Sequence, residues 1–277
     1  MNWNRIKAII RKDIKEVMAN KMVVLPMIIV PLILCAVLPG IMLIIAIKSD
    51  IAMINGAQYL EKVIPLYPVP EQMDTLARQI IYIFLNFTFI PFFMLIPIMV
   101  SSIIASNAIV GEKERKTLET LLYTPVTNRE FIAAKLLSSF IPAVGVSFLG
   151  FIAYFLVTNG ISWFTLGLFF VQAPIWIPAM LLLSPSVSLL GLSITLIVSL
   201  KAKSFMEAQQ IAGVVVLPFI VLILVQMTGL VIFNSLYLIL FALLLLGIDY
   251  LLMIKITPRF NRRSEEHTSE LQSRQVI

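Results

Sequence analysis

The chain has 277 residues, of which 60% are hydrophobic and 13% are charged, and its mean hydropathy is +0.98. Soluble domains average about 45–50% apolar and about 25% charged residues, so the composition excludes a soluble globular domain. The formal net charge is +6. The basic residues border apolar runs, which indicates contact with lipid headgroups rather than with nucleic acid.

The composition predicts an all-α polytopic membrane protein. Only helices or closed barrels satisfy the backbone polar groups in lipid, and the long apolar runs lack the alternation of barrel strands. The single cysteine, Cys35, lies in the first apolar run and cannot form an intrachain disulfide. We assign it no role.

Residues 1–20 are predicted to form an amphipathic helix in the headgroup region on the cytoplasmic side. Apolar residues recur at helical spacing on one side, at Trp3, Ile6, Ile10, Ile14, Val17 and Met18. Charged residues occupy the other side, at Arg5, Lys7, Arg11, Lys12, Lys15 and Glu16.

Residues 21–262 are predicted to form a transmembrane domain of six helices, because a span needs about 20 apolar residues. The third span is expected to stop at Asn159-Gly160, and residues 163–173 are interpreted as an outer interfacial or re-entrant piece. Basic residues at the borders place both chain ends in the cytoplasm. The predicted spans are residues 22–47, 80–109, 128–157, 176–200, 211–230 and 233–256.

Residues 111–135, which we call the island, form a charged stretch between the second and third spans. Residues 112–123 lack Gly and Pro and suit a short helix that Pro125 ends, and Thr127 with Glu130 forms a capping box for the next helix. The island either passes force from a soluble partner or is an ordinary solvated loop. Its basic residues place it in the cytoplasm: Lys113, Arg115, Lys116, Arg129 and Lys135.

Few residues in the spans could carry chemistry. Asp249 is interpreted as an ion or substrate contact, or as a carboxylate that bonds a neighbouring helix or snorkels. Ser184 and Ser186 suit close helix packing or the wall of a pathway. The sequence has no phosphate-binding loop, no His/Cys metal spacing and no nucleophile elbow. We therefore predict no catalytic residue and no metal site, and any energy must come from another chain.

The island, GEKERKTLETLLYTP, resembles the signature of the ABC type-2 exporter permeases, GE-x-E-x-x-T-L-E-x-L-L-x-x-P. Residues 203–210 and Leu217-Pro218 are also similar to the bacterial drug- and sodium-efflux branch. The match to the signature falls on Gly111, Glu112, Glu114, Thr117, Leu118, Glu119, Leu121, Leu122 and Pro125.

The resemblance implies a permease subunit of an exporter in the bacterial cytoplasmic membrane. Such permeases have six spans, an N-terminal interfacial helix and a short cytoplasmic coupling helix, here residues 112–123. The helix docks on a separately encoded ATPase, which binds the ATP and magnesium, so this chain binds no cofactor. Two ATPase subunits serve two permease subunits, identical or merely similar. The matched leucines are expected in an apolar groove of the ATPase, and Glu112, Glu114 and Glu119 at its basic rim.

Two other functions remain open at this point. A secondary carrier or channel would conduct without an ATPase, although the scarcity of charge in the spans argues against it. A scaffold subunit would bind an ATPase without moving a substrate. Some relatives carry a large outer domain between spans one and two, and this chain has only a short connection there.

Residues 263–277 read RSEEHTSELQSRQVI, an abrupt change from apolar to polar sequence. The segment resembles the in-frame translation of a sequencing adapter. We interpret it as a non-native tail and exclude it from the prediction of the fold. The only histidine, His267, lies within it.

Overall fold

The computed structural model describes residues 2–48, 64–114, 127–202, 204–227 and 234–274. In the last helix the side chains are described as far as Ile254. Regular structure in these ranges is helical, and six of the helices are long and apolar enough to cross a membrane. The predicted fold class, an all-α polytopic membrane protein with six spans, is confirmed.

Six membrane helices follow the N-terminal helix α1. Their bounds are α1 Trp3–Ala19, α2 Val23–Ile45, α3 Leu76–Gly111, α4 Asn128–Leu166, α5 Trp176–Ser199, α6 Phe205–Gln226 and α7 Ser235–Arg274. Five-residue π-helical turns interrupt several of them, at Ile33–Val37, Phe84–Thr88, Asn107–Gly111 and Ala179–Leu183. The membrane-spanning part of α7 ends at Ile254.

The central helix of the bundle is α3, which packs between α4 and α5. In its apolar window 72% of the residues are buried inside the molecule, against 56% for α5 and 22–28% for the other four spans. Those four helices expose apolar side chains such as Leu149, Leu156 and Leu224. Exposed leucines on a spanning helix suit contact with lipid, whose tails are equally apolar.

A glycine allows α3 and α5 to approach closely. A Cβ atom at Gly191 would lie 2.7 Å from Ser101 Oγ and 3.0 Å from the carbonyl oxygen of Ile98, so any larger residue would push the helices apart. Ser102 Oγ also donates to the carbonyl oxygen of Gly191, at 3.4 Å. In lipid the hydrophobic effect does not drive helices together. Close packing at small residues, with hydrogen bonds between the helices, holds them together instead.

The predicted stop of the third span at Asn159-Gly160 is wrong. Helix α4 continues to Leu166 and ends at Gly167, whose φ of 67° is the left-handed conformation that glycine adopts at low cost. Asn159 lies inside the helix, and its side chain binds the segment that follows the helix. That segment, residues 168–173, is not helical and runs back along α4.

The N-terminal helix α1 packs against α4 and α2. Its buried face differs from the predicted apolar stripe, because Trp3 and Met18 are 52% and 58% exposed and a charged residue, Asp13, lies in the middle of the face. The buried residues of α1 are Ile6, Ile9, Asp13 and Val17.

Candidate functional site

The island begins inside the protein and not in solvent. The apolar helix α3 reaches Gly111, and the short helical turn Glu112–Glu114 follows it without a break. Gly111 is buried, and Glu112 is 0% exposed. The other residues matched to the signature lie outside the described residues: Thr117, Leu118, Glu119, Leu121, Leu122 and Pro125.

Glu112 forms ion pairs with two lysines from different elements. Its carboxylate contacts Lys12 on α1, and its Oε2 atom lies 2.9 Å from Lys135 Nζ on α4. Glu112 was expected at the rim of an ATPase groove, and its burial overturns that role. The carboxylate instead joins the first turn of the island to α1 and α4.

A second buried pair extends these contacts. Lys135 Nζ lies 2.9 Å from Asp13 Oδ1 on α1, with side-chain exposures of 2% and 1%, and Ser138 Oγ donates to Asp13 Oδ2 at 3.0 Å. We call Lys12, Asp13, Glu112 and Lys135 the ion network. Two ammonium groups balance two carboxylates in it. The pairing offsets the several kcal/mol that burial costs each of Asp13, Glu112 and Lys135, whereas the Lys12 side chain is 44% exposed.

The surroundings shift the pKa of two members of the ion network. Burial raises the pKa of Asp13, and the charge and hydrogen bond of Lys135 oppose that shift. Burial acts to lower the pKa of Lys12, but the hydrogen bond and charge of Glu112, with smaller contributions from other carboxylates, outweigh burial and raise it. Lys12 therefore keeps its positive charge across the physiological range.

The capping box of α4 also fastens α1. Thr127 Oγ1 accepts from the Glu130 N–H at 3.3 Å, and Glu130 Oε2 accepts from the Thr127 N–H at 3.1 Å, so the predicted capping box is confirmed. The other oxygen of Glu130 accepts from the backbone N–H of Asn2. Arg5 lies 3.9 Å from the same carboxylate. The start of α1 is thereby tied to the start of α4.

Glu114 joins the island to α6. Its Oε1 atom accepts from the backbone N–H of Phe205 at 3.1 Å. This N–H opens the helix, where the Ser204 side chain also accepts from Glu207 N–H at 3.1 Å. A carboxylate is favourable at a helix N-terminus, whose first N–H groups lack partners within the helix. The first turn of the island therefore binds α1, α4 and α6.

Three carboxylates of this region, those of Asp13, Glu16 and Glu112, lie within 4.8 Å of one another. Ammonium groups already neutralise them. Lys12 lies 3.8 Å from Glu16 and also pairs with Glu112, and Lys135 contacts Asp13 and Glu112. The ion pairs account for the cluster, and it gives no support to a metal site.

The opposite end of the bundle holds the segment after α4. Asn159 Oδ1 accepts from the backbone N–H groups of Phe170 and Val171 at 3.0 and 2.9 Å, and its Nδ2 donates to the carbonyl of Val171 at 3.0 Å. Asn86 on α3 donates to the carbonyl of Phe170 at 2.7 Å and accepts from the N–H of Ala173 at 3.1 Å. We call Asn86, Asn159 and the backbone of residues 170–173 the asparagine clasp.

The π-helical turn Phe84–Thr88 supplies further contacts beside the clasp. Tyr154 OH on α4 donates to the carbonyl of Leu85 at 2.6 Å, and Gln226 Nε2 on α6 donates to the carbonyl of Phe87 at 2.8 Å. A π-helical turn frees carbonyls from the helical pattern and recurs at functional positions. Here the freed carbonyls bind α4 and α6 to α3.

The three residues proposed from the sequence for the pathway or for packing are all buried. Ser186 Oγ donates to the carbonyl of Leu182 in its own helix at 2.7 Å, which is a local contact. Ser184 Oγ has no hydrogen-bond partner among the described residues. Asp249 on α7 is 4% exposed, and Ser193 on α5 faces it.

Sequence reasoning missed the contributions of Asp13, Lys135 and the two asparagines. Asp13 could have been found, because it falls in register with the apolar residues Ile6, Ile9 and Val17 on one face of α1. This spacing places the Asp13 carboxylate on the same face of α1 as its buried apolar side chains. No comparable local signal marks Asn86.

The chain was also compared with known proteins. The sequence profile described as "ABC-2 family transporter protein" matches residues 7–263. No curated protein and no solved structure gave a match. The profile covers nearly all of the chain, including the ion network and every residue of the signature, and so this chain belongs to the ABC-2 family of transporter proteins.

Proposed function

We propose that this chain is the permease subunit of an ABC exporter in the bacterial cytoplasmic membrane, driven by a separately encoded ATPase. The single observation that carries the proposal is the first turn of the island, whose glutamates bind α1, α4 and α6. A solvated loop that only reverses the chain has no need for such contacts. A segment that transmits motion to several helices at once does need them.

The coupling helix at residues 112–123 receives the motion of the ATPase. Leu118, Leu121 and Leu122 seat in an apolar groove, and Glu119 contacts the basic rim of that groove. Glu112 then carries the displacement into α1 and α4 through the ion network, because paired buried charges cannot separate without exposing a carboxylate or an ammonium group to an apolar surrounding. Glu114 carries it into α6.

The partners follow from this arrangement. Two copies of the ATPase hold ATP and magnesium, and two permease subunits, identical or similar, form the pathway. The chain itself is not catalytic. Its two ends and the island lie in the cytoplasm, and the asparagine clasp lies at the outer end of the bundle.

We expect an ATPase gene beside the gene of this chain, and the proposal is tested with the full chain and that ATPase. We expect the wild-type chain to retain the ATPase on purification and to change its rate of ATP hydrolysis. Leu121→Asp and Leu122→Asp place a charge in the apolar groove, and each should weaken binding by about 30-fold, the result of losing roughly 2 kcal/mol at a hot spot.

Leu66→Asp is the matched control, because Leu66 is an exposed leucine in the connection between α2 and α3, at the other face of the membrane. It should bind the ATPase as the wild type does. Binding and hydrolysis unchanged in both Leu121→Asp and Leu122→Asp would remove the coupling role of the island.

A further inference from the structure

Asp249 is a buried carboxyl group inside a membrane-spanning helix, five residues before the end of the span at Ile254. Its side chain is 4% exposed, and neither of its oxygens has a hydrogen bond of acceptable geometry among the described residues. Ser193 Oγ on α5 faces it and is likewise buried without a well-formed hydrogen bond. Two complementary polar groups therefore lie opposite each other between α7 and α5.

No described cation neutralises Asp249. On α4, Lys135 is committed to Asp13 and Glu112. After α5, Lys201 is exposed and lies eight residues beyond Ser193, which is about 12 Å along a helix. The two turns Trp176–Pro178 and Ala179–Leu183, which also contact α7, contain no titratable residue.

Apolar residues adjoin this pair along the two helices. Leu192 and Leu196 on α5 form a buried cluster with Ala105 and Ile109 on α3, and Met253 on α7 packs against it. Tyr250, next to Asp249 in the chain, is exposed on another face of α7. An unpaired carboxylate in such a place costs several kcal/mol. A neutral carboxylic acid costs far less, and its O–H can donate to a serine hydroxyl.

We propose that Asp249 is a proton-binding site within the membrane. The carboxylate takes a proton from solvent water, and the resulting acid packs α7 against α5 at Ser193. Release of the proton to water restores a carboxylate that this apolar shell cannot hold, so ionisation requires α5 and α7 to part or water to enter. Occupancy of the proton site is thus linked to the packing of these two helices.

The test is the infrared spectrum of the full chain in lipid nanodiscs at neutral pH. We expect the wild type to show the carbonyl band of a protonated carboxylic acid that is lost in Asp249→Asn. In Asp249→Glu the band should persist at a shifted position, which keeps the test valid if the asparagine variant folds poorly. The matched control is Asp13→Asn, because Asp13 is equally buried but paired with Lys135. This variant should lose carboxylate absorption and keep the acid band.

A wild-type spectrum that lacks the acid band, or an Asp249→Asn difference spectrum that contains carboxylate bands instead, would overturn the proton site. The measurement involves no ATPase. Its failure would leave the coupling role of the island intact, and a failure of ATPase binding would leave the acid band unchanged.

Discussion

Lys135 places one ammonium group between the carboxylates of Asp13 and Glu112, 2.9 Å from each. In the sequence it counts only as one of the basic residues of the island, a pattern that indicates orientation. In the fold its side chain is 2% exposed, so it cannot serve the membrane surface. Its role is to neutralise two buried carboxylates from different elements.

Replacing Lys135 by Met should destabilise the protein strongly. The change leaves Asp13 and Glu112 buried with one cation fewer, and removal of one partner from a buried pair costs about 3–5 kcal/mol. We expect a lower midpoint of thermal unfolding for the full chain in detergent. Combining Lys135→Met with Asp13→Asn should recover part of the loss, because one of the uncompensated charges is then gone.

Arg78→Met provides the control for a charge lost at the surface. Arg78 pairs with Asp74 at 2.6 Å, with side-chain exposures of 30% and 64%, and exposed pairs contribute about 0–1 kcal/mol. Equal effects of Arg78→Met and Lys135→Met would contradict a buried ion network.

At the scale of the elements, the asparagine clasp shows how a non-helical segment is accommodated beside spanning helices. Backbone N–H and C=O groups without partners are tolerated near lipid only where protein satisfies them. Asn86 and Asn159 do so for residues 170–173, acting as donor and acceptor at once. The clasp thereby joins α3, α4 and the start of α5 at the end of the bundle opposite the ion network.

Asn86→Leu and Asn159→Leu keep the approximate side-chain size and remove these hydrogen bonds. Each variant leaves several backbone groups unpaired, at about 1–3 kcal/mol for each buried group. We expect faster amide hydrogen exchange in residues 168–175 and a lower thermal stability in both variants.

Thr165→Val is a suitable control for the clasp. Thr165 lies in the last turn of α4, and its hydroxyl donates to the carbonyl of Ile161 in the same helix at 2.7 Å. Loss of the Thr165 hydroxyl should leave the amide hydrogen exchange of residues 168–175 unchanged. Protection of that segment in Asn86→Leu and Asn159→Leu at the wild-type level would show that the clasp does not hold it.

At the scale of the whole molecule, the six spans give the chain an even number of crossings. If each of these helices crosses the membrane once, the two ends of the described spans share one side with the island, and the connection before α3 lies on the other. Under the proposed function that shared side is the cytoplasm, as the basic residues of α1 and the island predict.

Cysteine labelling in intact cells tests this orientation. Cys35 is the only cysteine and is buried, so Cys35→Ala gives a suitable background. We expect an impermeant maleimide to label Leu66→Cys, whose position is 55% exposed, and to leave Thr120→Cys unlabelled until the cells are opened. Labelling of Thr120→Cys from outside would show that the topology is the reverse of the expected one and would rule out a cytoplasmic ATPase contact at the island.

The fold class, the count of spans and the signature were predictable because each depends on local patterns. Apolar length reports a span, and the capping box of Thr127 and Glu130 is a contact between residues three apart. The stop at Asn159-Gly160 was wrong because the same residue types serve either to end a helix or to bind a distant backbone. Which of the two roles Asn159 takes depends on whether the segment after α4 folds back to within hydrogen-bonding distance of its side chain.

The sequence by itself determined that this protein is a six-span helical membrane protein with an ABC-2 signature between its second and third spans. The tertiary structure alone decided that Glu112 faces inward to Lys12 and Lys135, and that Asp249 has no cation beside it among the side chains that the structure describes. Hydrophobicity and helix caps act between neighbours in the chain. Whether a charge is paired depends on residues about 100 positions away, as between Lys12 and Glu112, and only packing of the helices brings these together.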